Sequence, residues 1–134
     1  QEEGNWQDGN SGAGVDGLCV MAFLASGEDP NYGRYAGNIR RAVRQLVKQQ
    51  QPETGYLPSS MYHHGFAMLA LSEVYGAVDE RLVWPESAGG KDGPSVARAL
   101  DLAIRCAVTS QKKNRWGGWR YSPDATDADT SVTG

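Results

Sequence analysis

At 134 residues, with 40% hydrophobic and 22% charged side chains and a net charge of −3, the chain is long enough for one domain with a real core. It carries no basic run longer than Arg40-Arg41, which argues against a dedicated nucleic-acid binder with its clustered cationic face. Its longest apolar stretch, Leu18 to Ala25, is too short to cross a bilayer, so no transmembrane segment is expected.

The polar, Gly-rich residues 1–15 read as loop. A short helix follows from Asp16 to Ser26, with Asp16 as N-cap or first-turn acid and Leu18, Met21, Leu24 and Ala25 on one face. Gly27 ends it, and Asp29-Pro30-Asn31 makes a turn. Tyr35 to Gln50 is the clearest helix: Ala36, Ile39, Val43, Leu46 and Val47 recur at helical spacing, while Arg40, Arg41, Arg44 and Lys48 read as its solvated side. Pro52 stops it. A third helix runs from Ser60 to Tyr75 and is punctuated by Gly76.

Residues 79–93 read as an irregular insertion in which Trp84-Pro85 anchors onto the helices. Pro94 to Ser110 is the fourth helix, with Pro94 in its first turn and Val96, Leu100, Ala103, Ile104, Ala107 and Val108 as its stripe. No alternating strand pattern competes, so the chain reads as all-α. Cys19 and Cys106 lie on apolar helical faces and read as small buried side chains, with no disulfide framework implied.

Three connecting loops share a composition. Gln1, Gly4 and Trp6 form one set; Gln51, Gly55 and Tyr56 a degraded second; Gln111, Gly117 and Trp119 a third with a longer spacer. The glutamines recur after 50 and then 60 residues, the longer interval matching the insertion. Each loop precedes a small, Gly-containing step into a helix, and such a period marks a helical-repeat architecture. Gln can bond exposed backbone groups at a helix end, Gly permits the reversal, and the aromatic ring covers the junction.

These loops resemble the QW motifs of the squalene and oxidosqualene cyclases, within the wider group of α/α toroids that includes prenyltransferase β-subunits. The resemblance implies a partial toroid over residues 1–134, of about four helices in outer and inner pairs. It also implies a segment of a longer protein, with inner-helix starts facing a central cavity. Helix faces left without neighbouring repeats are expected to pack against those repeats or to self-associate.

The resemblance also places candidate chemistry. Cyclases of this type carry a D-x-D-D motif whose central Asp protonates an alkene or epoxide. Here Asp127-Ala128-Asp129-Thr130 matches its first and third positions, with Thr130 where the last Asp would stand. Asp127 and Asp129 are therefore the candidate catalytic residues of an incomplete motif, and whether the parent is an enzyme stays open. Read from the residues alone, the same stretch opens a helix, because acids and hydroxyls suit its positive end.

Tyr62, His63, His64, Trp116 and Tyr121 are the expected rim of a mouth over an apolar cavity, suited to an isoprenoid or other lipid-like ligand. Two further readings stand beside this one. The chain is a non-catalytic helical-repeat binding scaffold, or it resembles the zinc-dependent prenyltransferases. In the latter case Asp16, Cys19 and His63 would supply the metal ligands, although Cys19 stands one residue late for that family's Asp-Gly-Cys step. The first two readings need no cofactor.

Overall fold

The computed structural model describes Trp6, residues 12–87 and residues 93–134, and all regular structure among them is helical. Helix α1 spans Ala13–Ala25, three residues ahead of the expected start, because Gly12 is the last extended residue and serves as its N-cap. Asp16 is therefore not a cap: it sits inside the first turn and is fully buried. The helix closes in a Schellman motif, in which the Gly27 N–H (φ +86°) donates to Leu24 O and the Glu28 N–H to Phe23 O.

Helix α2 spans Ala36–Gln49 and buries Ile39, Ala42, Val43 and Leu46, leaving Arg44 and Lys48 outside. Arg40 is not a free surface cation, since its guanidinium donates to the carbonyls of Pro30 and Asn31 at 3.0 and 2.7 Å. Helix α3 spans Met61–Val74, and α4 is a single turn over Glu80–Val83 followed by a 3₁₀ turn at Pro85–Ser87. The part of the predicted insertion that is described thus has short helical structure, and its half-buried Trp84 packs against the core as expected of an anchor.

Helix α5 spans Val96–Lys113, starting two residues later and ending three later than its sequence pattern. The cause is Ser95, whose hydroxyl accepts the Arg98 N–H at 3.1 Å and caps the helix; Pro94 lies just outside it. A last turn, α6, covers Thr130–Thr133.

The four long helices form two layers. Helix α1 packs chiefly against α3 and also touches α2; α3 reaches α5, and α2 touches α5. The α1–α3 contact is close because Gly17 faces the α3 backbone, where a Cβ would sit 2.7 Å from Phe66 O. The matching approach of Gly14 to His63, one turn earlier on both helices, shows that α1 and α3 run parallel. Helices α2 and α5 are amphipathic, whereas α1 and α3 are apolar on most of their circumference.

Three segments fasten onto one face of α5. The Gln50 amide donates to Ala99 O at 2.8 Å, the His64 imidazole to Ala103 O at 3.1 Å, and the Trp119 indole N–H to Ala107 O at 2.9 Å. The three acceptors lie four residues apart, one above another on the helix. Each carbonyl has a second lone pair beyond its intrahelical bond, and the alanine side chains leave room for the donors.

Candidate functional site

The two described glutamine–glycine loops share a local geometry, with one shift of residue. In the third loop Gln111 donates its side-chain N–H to Gly117 O at 2.8 Å, and Gly117 has φ +70°. In the second, the donor to Gly55 O at 3.0 Å is Gln50, while Gln51 is exposed and closes the turn through its backbone. Gly55 has φ +73° and packs so closely that a Cβ would lie 2.1 Å from Leu102 O. The neighbouring Tyr56 ring stacks on His64 with centroids 5.6 Å apart. In the first loop Gln1 and Gly4 lie outside the described residues. Trp6 packs beside Phe23, ring centroids 5.9 Å apart, and its backbone N–H donates to Asp16 Oδ1 at 2.9 Å.

The two histidines part company. His64 is fully buried: its Nδ1 accepts the Leu57 N–H at 3.1 Å, which leaves the proton on Nε2 for Ala103 O. Burial lowers its pKa below 6.5, against a smaller upward effect from the Ala103 carbonyl, so the neutral ring is the folded form. His64 therefore contributes to the core rather than to a solvent-facing rim. One residue on a helix turns a side chain by roughly 100°, so His63 points elsewhere. It lies beside Gly12 and Gly14 at the start of α1, its Nδ1 without a hydrogen-bond partner among the described residues.

Tyr62, Tyr121 and Asp129 do come together. The Tyr62 and Tyr121 rings lie 5.9 Å apart, and Met61 N–H donates to Tyr121 O at 2.9 Å. Tyr62 OH donates to Ser131 Oγ, and Ser131 Oγ donates to Asp129 Oδ1, each at 2.5 Å. Ser131, which the sequence marks only as a helix-opening residue, is the link in this Tyr–Ser–Asp chain. Trp116 is 68% exposed and carries the Arg115 guanidinium over its ring at 4.6 Å.

Asp129 caps α6, its Oδ1 accepting the Ser131 N–H at 2.8 Å. The side-chain hydrogen bond from Ser131, then its backbone N–H, hold the Asp129 carboxyl below its ordinary range. The carboxylate is thus ionised at neutral pH and partly exposed, which suits a helix cap, whereas a proton donor to an alkene would need to be desolvated and protonated. Asp127 is exposed and pairs with Arg120 at 2.9 Å, while its backbone carbonyl accepts from the Asn114 amide. Asn114, the C-cap of α5, holds this segment against the helix end, and Arg120 braces it within the loop; motif reading missed both.

Among the described residues no three His, Cys, Asp or Glu side chains, Asp16, Cys19 and His63 included, are grouped to hold a metal ion. Asp16 is occupied by Trp6 N–H and by the Gln49 amide at 3.3 Å. Burial, and then the nearby Asp16 carboxylate, push the Cys19 thiol above its ordinary pKa. Neither cysteine is in a disulfide; Cys106 is buried and Cys19 partly so. No helix among the described residues is long and apolar enough to cross a membrane.

The α1/α3 layer also leaves apolar side chains uncovered: Leu18 is 45% exposed, Phe66 40% and Leu69 48%. A separate small cavity of about 150 Å³ lies between α3, α5 and α6, lined by Met61, Met68, Trp119 and Val132 among others. Compared with protein-family models, curated proteins and solved structures, the chain matches none.

Proposed function

We propose that the chain is a helical-repeat segment of the α/α-toroid kind, and that its α1/α3 face binds an isoprenoid or other lipid-like molecule. The observation behind this is the uncovered face of Leu18, Phe66 and Leu69 on two parallel helices that are apolar nearly all round. Helices of that character are ordinarily covered on both sides. The ligand would lie on this face, with Tyr62 and Tyr121 at its polar end. Binding, not acid catalysis, is the activity this segment supports, because Asp129 is spent on capping.

The test uses farnesol as probe. Farnesol is expected to displace 1-anilinonaphthalene-8-sulfonate from the chain, and Leu69→Asp to abolish the displacement. Incubation with squalene is expected to yield no cyclised product, before or after Asp129→Asn. Cyclised product that disappears in the variant would restore the acid reading.

A second reading is favoured by the same capping geometry: a scaffold whose uncovered face packs against protein. Concentration-dependent association in sedimentation, with no displacement by farnesol, would select it.

A further inference from the structure

A cleft of about 510 Å³ lies between the second and third loop junctions, in the size range of small-molecule sites. One face of α5 lines it through Leu102, Cys106 and Ser110, spaced four residues apart, with Tyr56 contributed by the second loop and Pro123-Asp124 by the third. It shares no residue with the Leu18–Phe66–Leu69 face.

Three of its hydroxyls are unspent. The hydroxyls of Tyr56, Thr109 and Ser110 make no side-chain hydrogen bond among the described residues, although Ser110 is only 4% exposed. Ser110 Oγ keeps contact with the cleft, so a ligand hydroxyl that reaches it takes the place of water at a group with no partner among the described residues. The Cys106 thiol stays neutral, since burial and then Asp124 push it up against a smaller downward effect of Lys113.

The charges around the cleft narrow the ligand class. Arg105 pairs with Asp101 at 2.8 Å and Lys113 with Asp124 at 2.6 Å, while Glu53 adds a further carboxylate to the lining. An anion would meet Glu53 and Asp124, and a cation would meet Arg105 and Lys113. A wholly apolar ligand would leave the hydroxyls unpaired. A neutral molecule with several hydroxyls satisfies all three conditions: it pairs with Ser110 and Thr109, can bridge the carboxylates and cations, and can rest an apolar ring face on Tyr56. We propose that this cleft is a binding site for a neutral polyhydroxylated molecule of hexose size.

The experiment is a chemical-shift titration of the isotopically labelled chain with glucose, galactose, mannose and N-acetylglucosamine, each up to about 50 mM, where a Kd of ~1–10 mM approaches saturation. At least one sugar is expected to give saturable shifts at residues 54–56 and 106–110. Ser110→Ala, and independently the exposed Thr109→Val, should each weaken binding by about five-fold or more, the loss of one hydrogen bond. Thr109→Val keeps the test open should Ser110→Ala fail to fold. Saturable shifts with sodium benzoate and none with any sugar would overturn the proposal. So would the absence of saturable shifts with all four sugars, or unchanged affinity in a folded variant.

Discussion

The junctions at residues 50–56 and 111–119 are built from the same parts and end in different situations. Both close through a left-handed glycine, and both place a glutamine amide on that glycine's carbonyl. The earlier junction is gripped from both sides: Gln50 reaches Ala99 O, and Gly55 presses against Leu102. The later one touches α5 through Trp119 and is backed only by the short α6 segment, where buried Gly118 meets Thr133 and Ala128, while Gly117 and Trp116 stay exposed. A junction is as strong as the neighbours it packs against, so similar local chemistry yields unequal stability.

The largest expected effect breaks that comparison at the glycines. Gly55→Ala combines a positive φ with a collision against backbone and should cost about 3–5 kcal/mol in urea unfolding. Gly117→Ala, with the same φ sign and nothing within 4 Å, should cost only about 1 kcal/mol. Similar losses at both sites would show that the packing of Gly55 on α5 contributes nothing.

Next comes His64. His64→Leu orphans the buried Leu57 N–H and should cost about 2 kcal/mol. Its pH signature is separate. The folded pKa lies below the unfolded value of 6.5, so the unfolded chain binds the proton first as pH falls. Stability is full above pH 6.5 and declines below it, until the folded pKa is passed, by up to about 1.4 kcal/mol per pH unit. The His64→Leu variant should lose that part of the slope; an unchanged urea–pH profile would remove His64 from the account.

The glutamines sharpen the comparison further. Gln50→Ala removes two hydrogen bonds and should cost about 1–2 kcal/mol, Gln111→Ala under about 1, and Gln51→Ala within about 0.5 of zero. The smallest effect belongs to Asp129→Asn. Its carboxylate pKa is lowered, so its contribution is present above the unfolded value of 3.8 and lost as pH falls through the folded one. Acid unfolding monitored by circular dichroism should shift only slightly, because the group is solvent-facing.

That ranking reflects what could be read from residues and what could not. The helices of Ile39–Val43–Leu46 and Ala103–Ala107 were legible because one polar face set the period against an apolar one. Helix α1 was legible in existence but not in its start, since its apolar circumference offers no phase and Gly12 caps without a side chain. The run Gln49-Gln50-Gln51 holds three candidates for one role, and only the backbone turning extended at Gln50 selects among them. His63 and His64 are likewise indistinguishable as letters, and the rotation between adjacent helical positions sends one to the core and the other to the start of α1. For Asp129 both roles were visible in the sequence; the Ser131 hydrogen bonds place it at the cap.

Helix α5 acts as a ruler. Its acceptor carbonyls at Ala99, Ala103 and Ala107 are spaced one turn apart and receive donors from three separate segments. Inserting a single residue between Ala99 and Ala107 would rotate one end against the other by roughly 100° and take at least one acceptor out of reach. An insertion in the exposed turn at Pro52–Thr54 leaves all three acceptors in phase. Length variation should therefore be tolerated in that turn and rejected in the middle of α5, and a single-residue insertion scan of the two regions would read this as a difference in soluble yield.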